Sequence, residues 1–382
     1  MKSEKLNLKG FRYRLSVTFS SSLTLSFIVF VLSLSLSSCG KNSSNNPGEG
    51  RSMPFHYATL LSIVEYDDST EVTIKDPWNC ERTLHRYVLQ EKQVERGFAA
   101  AAVFTSSHAQ LLTWLNAADR IAAVCDLKYM NIPEVRRRVE NGRIIDCGDS
   151  RMPDIEQLTI AGTDAILLSP FENSGGYGML ETMGIPIIEC ADYMEPTPLA
   201  RAEWMKLYGL LFGCEEQADS LFREVERSYL QQAAAARRMN TRSTLLTERK
   251  TGSTWYVPGG KSWMGQLIKD AAARHPFPDD THSGSLPLSP EQVIARGEEI
   301  DVWAVKNSSS QPLTRESLLA EYDGYKMLKA MREGRVYECN TMEKPFFEQT
   351  AFRPDWLLSD YIAITHPEEC RDSVLRYYRR IE

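Results

Sequence analysis

At 382 residues and 43.4 kDa, the chain is long for one domain and short for three. Hydrophobic residues make up 42% and charged residues 25%, ordinary globular usage that excludes a largely disordered chain, a collagen-like one and a disulfide miniprotein. Formal net charge is −7; without the first 38 residues, which hold five Lys/Arg and one Glu, 39 basic residues face 50 acidic ones, a net −11 that excludes nucleic acid as the expected partner.

The chain opens basic, with Lys2, Lys5, Lys9, Arg12 and Arg14, and continues into an apolar, Ser-interrupted stretch from Leu15 to Leu36. A basic head, an apolar centre and small residues before a cut site form the pattern of a secretory signal. The string Leu36-Ser37-Ser38-Cys39-Gly40 resembles the lipobox of bacterial lipoproteins, which implies a signal peptide over 1–39 and lipidation of Cys39. About 20 apolar residues can also span a bilayer, but the serines and the cysteine at the end favour the lipoprotein. Residues 40–54 are polar and Asn/Ser/Gly-rich and predict a flexible tether. No later segment reaches about 18 consecutive apolar residues. The expected location is therefore extracytoplasmic, in the periplasm or at the cell membrane, with the body held by lipid.

Ala58–Glu65 and Glu71–Lys75 are β-rich runs around Asp67-Asp68-Ser69 and predict a hairpin, with Leu84–Leu89 as a third strand. From residue 100, short apolar runs (Ala101–Phe104, Ile121–Cys125, Arg143–Asp146, Ala165–Leu168, Pro186–Glu189) alternate with helical stretches (Gln110–Leu115, Ile132–Glu140, Pro153–Ala161, Gly178–Met183). That alternation predicts parallel strands in a three-layer unit over 55–196. Residues 197–239 read as an interlobe helix, with Thr197 as N-cap, Pro198 in the first turn, and Gly213 breaking it before Glu215-Glu216 reopens it. The alternation restarts over 240–382: Ser243–Thr247, a Ser262-capped helix from Trp263 to Ala273, Pro290–Ala295, Val302–Val305, Leu318–Met331, Arg335–Glu338 and Asp355–Thr365. The expected fold class is α/β, with two Rossmann-like α/β/α lobes joined by a long backbone helix and a ligand cleft between them. A single rod as connector predicts a stiff pair of lobes.

From about Ala101 to His366 the chain resembles the iron-complex and vitamin B12 substrate-binding proteins of ABC importers. The resemblance is carried in the first lobe by Ala117–Val124, Ile155-Glu156-Gln157-Leu158 before Asp164–Leu167, and Met183-Gly184-Ile185-Pro186. At the lobe junction it is carried by Ala191–Glu195 and Pro198–Trp204, and in the second lobe by Trp255–Ser262, Leu288–Val293 and Arg353–Leu358. It implies a monomeric receptor that captures an iron complex (a siderophore or haem) or cobalamin and delivers it to permease and ATPase subunits, with no cofactor and no catalytic residues of its own. The alternative is an extracytoplasmic enzyme on the same fold, a chelatase or reductase. No G-x-S-x-G, H-E-x-x-H or dinucleotide fingerprint supports that alternative.

In open α/β sheets ligands sit beyond the carboxyl ends of strands. In the first lobe these ends hold Ser106, Ser107 and His108, then Tyr129, then Glu172 and Asn173; in the second they hold Trp255, Tyr256, Gly259, Lys306 and Arg353. Aromatic surfaces with a few polar groups suit a large flat or macrocyclic ligand, and Lys or Arg would pair with its negative charge. Trp255 and Tyr256, before Pro258-Gly259-Gly260, read as cleft residues in a loop, with core as the alternative; Trp263 reads as core. Tyr129 lies where haem-binding members of the resembled family carry an iron-ligating tyrosine, so rim residue and haem ligand both stay open. The resemblance also implies permease docking through Glu291 and, in the first lobe, Glu172.

Gly260-Lys261-Ser262 is not a phosphate loop, because the required first glycine falls at Trp255. The His275–His282 loop reads as surface. With Cys39 lipidated, seven cysteines remain, so at least one thiol is unpaired. Cys125, Cys147 and Cys190 each end a predicted strand and read either as buried small hydrophobes or as a soft-metal trio.

Overall fold

The computed structural model describes residues 50–172, 176–240 and 242–382. The expected signal segment and the expected lipidation site, Cys39, lie outside the described residues. The expected tether ends earlier than 54: β1 (Arg51–Ser52) already pairs antiparallel with β2 (Leu61–Glu65). β3 (Ser69–Lys75) and β4 (Thr83–Gln90) complete a four-stranded antiparallel sheet, as the hairpin pattern predicts. The extended segment between β1 and β2 is held by two buried carboxylates. Glu203 accepts the N–H groups of His56, Tyr57 and Ala58, and Glu195 accepts those of Thr59 and Leu60 together with the Trp204 indole N–H.

The first lobe is a parallel sheet of β5 (Ala101–Val103), β6 (Ile121–Val124), β7 (Ile145–Asp146), β8 (Ala165–Leu168) and β9 (Ile187–Glu189), in the order β7-β6-β5-β8-β9. β5 and β8 are buried along their whole length, as parallel strands covered on both faces must be. Helices Ser106–Trp114, Pro133–Glu140 and Ile155–Ile160 supply the cover.

The connector is three helices rather than one rod: Pro198–Glu203, Met205–Phe212 and Glu215–Ala236. The Thr197 side chain accepts the Ala200 N–H ahead of Pro198. Gly213 closes the second helix with φ +64, a left-handed conformation that costs glycine nothing.

The second lobe contains β10 (Leu245–Thr247), β11 (Lys250–Thr251), β12 (Thr254–Pro258), β13 (Ser285–Leu288), β14 (Val302–Asn307), β15 (Val336–Asn340) and β16 (Arg379–Arg380). β10, β14 and β15 run parallel, β16 closes their edge antiparallel, and β11-β12-β13 form a small antiparallel sheet. Trp255 therefore sits on a strand, not in a loop. It is fully buried against Trp303 and Tyr325, at 5.9 and 5.5 Å between ring centroids. The cleft assignment of Trp255 is wrong because the strand turns alternate residues inward; Tyr256, the next residue, is 50% exposed. Gly259 is likewise a packing position: a Cβ there would lie 2.3 Å from the His282 carbonyl oxygen. Trp263 is partly buried against the main core, under the Arg201 guanidinium.

Arg353 does not face a ligand either. Its guanidinium is held by Asp355 and by Glu224 of the long helix and lies 4.0 Å from the centre of the Trp356 ring. It binds the final helix, Pro354–Thr365, to the connector.

One hydrophobic core runs through both lobes. Its bridge is aromatic: Phe352 of the second lobe packs on Tyr208 of the connector and on His108 of the first lobe, and Trp114 meets Trp356 edge-on at 5.7 Å. The lobes also meet through Glu348, whose carboxylate accepts the Asn131 N–H at 2.8 Å. Burial raises the Glu348 pKa, with the Asn131 N–H working the other way.

Trp255→Ala is expected to cost about 3–5 kcal/mol of stability, whereas Tyr256→Ala should stay within about 0.5 kcal/mol; urea unfolding of the two variants checks this, and equal midpoints would return Trp255 to the surface. A carboxyl with a raised folded pKa contributes stability below its unfolded pKa that is lost as pH rises through the folded one. Glu348→Gln keeps an acceptor for Asn131 without the buried charge, so it should be at least as stable as wild type at pH 7, and the difference should vanish below about pH 4. A variant clearly less stable at pH 7 than at pH 4, relative to wild type, would reverse that sign.

Candidate functional site

In the first sheet the chain runs outward from β5 through β6 to β7, then returns to the other side of β5 for β8 and β9. The gap beyond the carboxyl ends of β5 and β8 is therefore the topological switch point, where open α/β sheets leave a crevice. A cavity of about 660 Å³ opens there. Phe104 and Leu168, from the strand ends, and Leu180 form its apolar floor, and Met152, Met179 and Phe171, exposed at 84%, 67% and 58%, stand at its rim. Unbranched thioether side chains adapt to ligand shape better than branched ones.

Polar groups are few and mostly engaged. The hydroxyls of Thr105 and Ser169 share a hydrogen bond at 3.0 Å, and Ser150 donates to Asp126 at 2.5 Å. Arg151 is the single charged residue among the described residues lining the cavity, and Asp149 holds its guanidinium at 3.2 Å. Gly176 and Tyr177 separate this cavity from a second, of about 540 Å³, between β4 and β9. There Glu189 accepts the Tyr177 hydroxyl at 2.7 Å and lies 3.1 Å from His85 Nδ1. Burial, and then the bond to Glu189, raise the Tyr177 pKa. A third cavity, of about 390 Å³, is lined by Thr244 and Asp301, at the amino ends of β10 and β14. That is the wrong edge of a parallel sheet for a ligand site.

At the carboxyl edge of the second sheet, Glu248 follows β10 with φ +66, a left-handed backbone unusual outside glycine. The Trp303 indole N–H, donating to the Glu248 carbonyl at 2.7 Å, holds that conformation. Glu248 in turn pairs with Lys306, whose ammonium lies 5.1 and 5.8 Å from the centres of the Phe346 and Phe347 rings. Phe347 is exposed. The helix carrying both phenylalanines, Phe346–Gln349, packs on the Ser106–Trp114 helix, which begins next to Thr105 of the large cavity.

None of the expected ligand residues among the described residues lines the large cavity. Ser106 and Glu172 adjoin Thr105 and Phe171, which do. Tyr129 is 69% exposed on a single turn just after β6, and Lys306 stands at the second lobe's carboxyl edge. Ser107 and His108 are corrections: both are buried, because the helix starts at Ser106 and turns its second and third residues inward. His108 Nε2 bonds Asp192 at 2.9 Å rather than facing a ligand. Asn173 lies outside the described residues. Glu291 is exposed in the first turn of the Pro290–Ile294 helix, where its own backbone N–H and Ser289 hold its pKa low.

The three cysteines do not assemble. Cys125 and Cys147 share one small cluster, whereas Cys190 belongs to the main core beside Tyr208. Among the described residues no three His, Cys, Asp or Glu side chains are arranged to hold a metal ion, and no helix among them is long and apolar enough to cross a membrane. Sequence reasoning missed Met152, Met179 and Glu248. Met152 lies in an irregular connection, where no period assigns a direction; Met179 lies in the Gly178–Met183 helical turn, too short for its period to show which side faces a cavity; and Glu248 is a left-handed residue with no composition signal.

Known proteins add to this geometry. Two uncharacterized lipoproteins of Methanocaldococcus jannaschii are 24% and 22% identical over 62% and 65% of the chain, and the matches span 56% and 65% of their own lengths. Among solved structures, a periplasmic binding protein of Veillonella parvula superposes with a TM-score of 0.60 at 12% identity, covering 78% of this chain and 98% of that one. A periplasmic haem-binding protein of Pseudomonas aeruginosa gives 0.57 at 16%, covering 74% and 98%. A possible iron-binding, periplasmic solute-binding protein of Staphylococcus epidermidis gives 0.56 at 18%, covering 70% and 99%. A sequence model of the periplasmic binding proteins matches residues 101–341, from the first strand of the first lobe to the end of β15, and the chain belongs to that family.

Proposed function

We propose that this chain is the extracytoplasmic receptor of an ABC importer, tethered through a lipid on Cys39, that captures an iron complex (a siderophore or haem) or cobalamin and hands it to the permease. The observation that carries the reading is the large cavity at the switch point between β5 and β8. It is roomy, apolar and framed by adaptable side chains, the properties of a site that binds rather than reacts. An enzyme would need placed acid–base groups there, and among the described lining residues the one charged group is an arginine paired with Asp149. The similar haem-binding and iron-binding structures support a metal complex as ligand, and the lipoprotein relatives support the anchor. Tyr129 and Tyr256 are exposed and Lys306, paired with Glu248, stands at the carboxyl edge of the second sheet; these are the proposed further ligand contacts, Lys306 by exchanging Glu248 for a ligand carboxylate. Glu291 and Glu172, both exposed, are the proposed docking acids for the permease.

The purified chain, incubated separately with haemin, cobalamin and a ferric siderophore and freed of excess, should retain the absorption of one of them. Retention of none would remove the metal-complex reading. Lys306→Ala should weaken the retained ligand by roughly tenfold, the scale of one charge-assisted bond at a partly open site; an unchanged Kd would take Lys306 out of the site. Glu291→Ala should leave that Kd unaltered and reduce uptake in cells, and normal uptake would remove its docking role.

A further inference from the structure

Two loops of the large cavity's neighbourhood begin at cysteines. The β6–β7 register pairs Ala123 with Ile145 and Val124 with Asp146. Cys125 and Cys147 are the next step along it, on the face that Ala123 and Ile145 share. The backbones stay paired on both sides of the two cysteines: the Cys147 N–H donates to the Val124 carbonyl at 2.8 Å, and the Asp126 N–H to the Gly148 carbonyl at 2.7 Å. Adjacent strands lie about 4.8 Å apart, inside the window of about 4.4–6.8 Å between Cα atoms over which a disulfide closes. Both residues are free thiols buried in the same cluster. Burial, and next the nearby Cys147, push the Cys125 thiol up, and burial pushes Cys147 up to about 11.

We propose that Cys125 and Cys147 are a disulfide site, closed when the chain folds among disulfide oxidants and joining the loop that carries Tyr129 to the loop that carries Ser150–Pro153. The presence of such oxidants rests on the extracytoplasmic location proposed above. In the reaction both S–H bonds break and one Sγ–Sγ bond forms. The two thiols are oxidised, and a small-molecule or protein disulfide takes up the two electrons and two protons and leaves as two thiols. The attacking species is a thiolate; because burial holds both thiols protonated, the exchange belongs to folding, before the pair is covered. Once formed, the bridge is shielded from reductants by the same burial. Its effect on the cavity passes through Asp126, which follows Cys125 with φ +55 and accepts the Ser150 hydroxyl at the cavity wall. The bridge would hold the two loops in that register.

The other cysteines make the pairing specific. Cys190, Cys214 and Cys339 are buried in the main core, whereas Cys80 is exposed and Cys370 half-buried, the last two serving as internal controls.

The full chain is recovered from the membrane fraction of expressing cells, unfolded in urea with iodoacetamide, digested without reductant and read by mass spectrometry. A second sample is reduced, unfolded and refolded in a mixture of reduced and oxidised glutathione before the same treatment. The expected result is one species joining the Cys125 and Cys147 peptides, lighter than their sum by two hydrogens, with Cys80 alkylated. Reductant should lower the urea midpoint of wild type and leave that of Cys125→Ala unmoved. Alkylation of both Cys125 and Cys147 after refolding in glutathione overturns the proposal, as does a bridge from either to a different cysteine. A bridge present after refolding and missing from the cell-derived chain upholds the site and counts against the extracytoplasmic location, so the two ideas fail separately.

Discussion

Asp192 is a fully buried carboxylate at the point where the parts of the body meet. It accepts His108 Nε2, from the first-lobe helix, at 2.9 Å and Arg201 Nε, from the connector, at 3.0 Å. Burial opposes its charge, but His108 and Arg201 outweigh it and its pKa is lowered. Removing one member of such a cluster strands the others without water, so its worth lies in fixing one arrangement more than in raw stability. The arrangement it fixes is the interlobe one. The ring of the same His108 lies against Tyr208 and Phe352, so the polar anchor and the aromatic bridge share a residue. The carboxyl edges of the two sheets depend on that shared residue for their relative placement.

Glu195 and Glu203 extend the same logic toward the N-terminus. An extended segment has no internal partners for its N–H groups, and a buried helix carboxylate can accept several of them. By gathering the N–H groups from His56 to Leu60, the two glutamates seat the antiparallel sheet against the connector, outside the span matched by the family model. In both clusters the protein uses buried acids to join segments that are distant in sequence.

The elements that rest on local chemistry were legible in advance. Thr197 and Pro198 start a helix, Gly213 ends one, Ser262 caps another in the second lobe, and the apolar runs from Ala101 to Glu189 became five parallel strands nearly residue for residue. The errors came where tertiary partners decide. Trp255, next to a Pro-Gly-Gly turn, looked like a loop residue, although the in-out-in order of Trp255, Tyr256 and Val257 is a strand's period. Arg353 stood at a helix start like a free cation, and its partner Glu224 is far away in sequence. The distance of His108 past a strand suggests a cleft wall, but its position within the first helical turn controls where it points. The cavity itself closes where the connections after β7 and β8 fold over the strand ends, and although their short helices were legible, the direction their side chains take was not.

The asymmetry of that cavity bears on how a bound ligand would register thermodynamically. Its wall is mostly carbon and thioether surface, its hydroxyls are largely bonded to protein partners, and its guanidinium among the described residues is paired with Asp149. Association driven by such a surface leaves its mark as a decrease in heat capacity. It has little to lose when ionic strength rises, since screening acts on exposed charges and not on apolar contact. Under the proposed reading, the contacts made in this cavity would vary little with the salinity of the surroundings, whereas a bond from Lys306 to a ligand carboxylate, or docking through exposed acids such as Glu291, would weaken as salt rises.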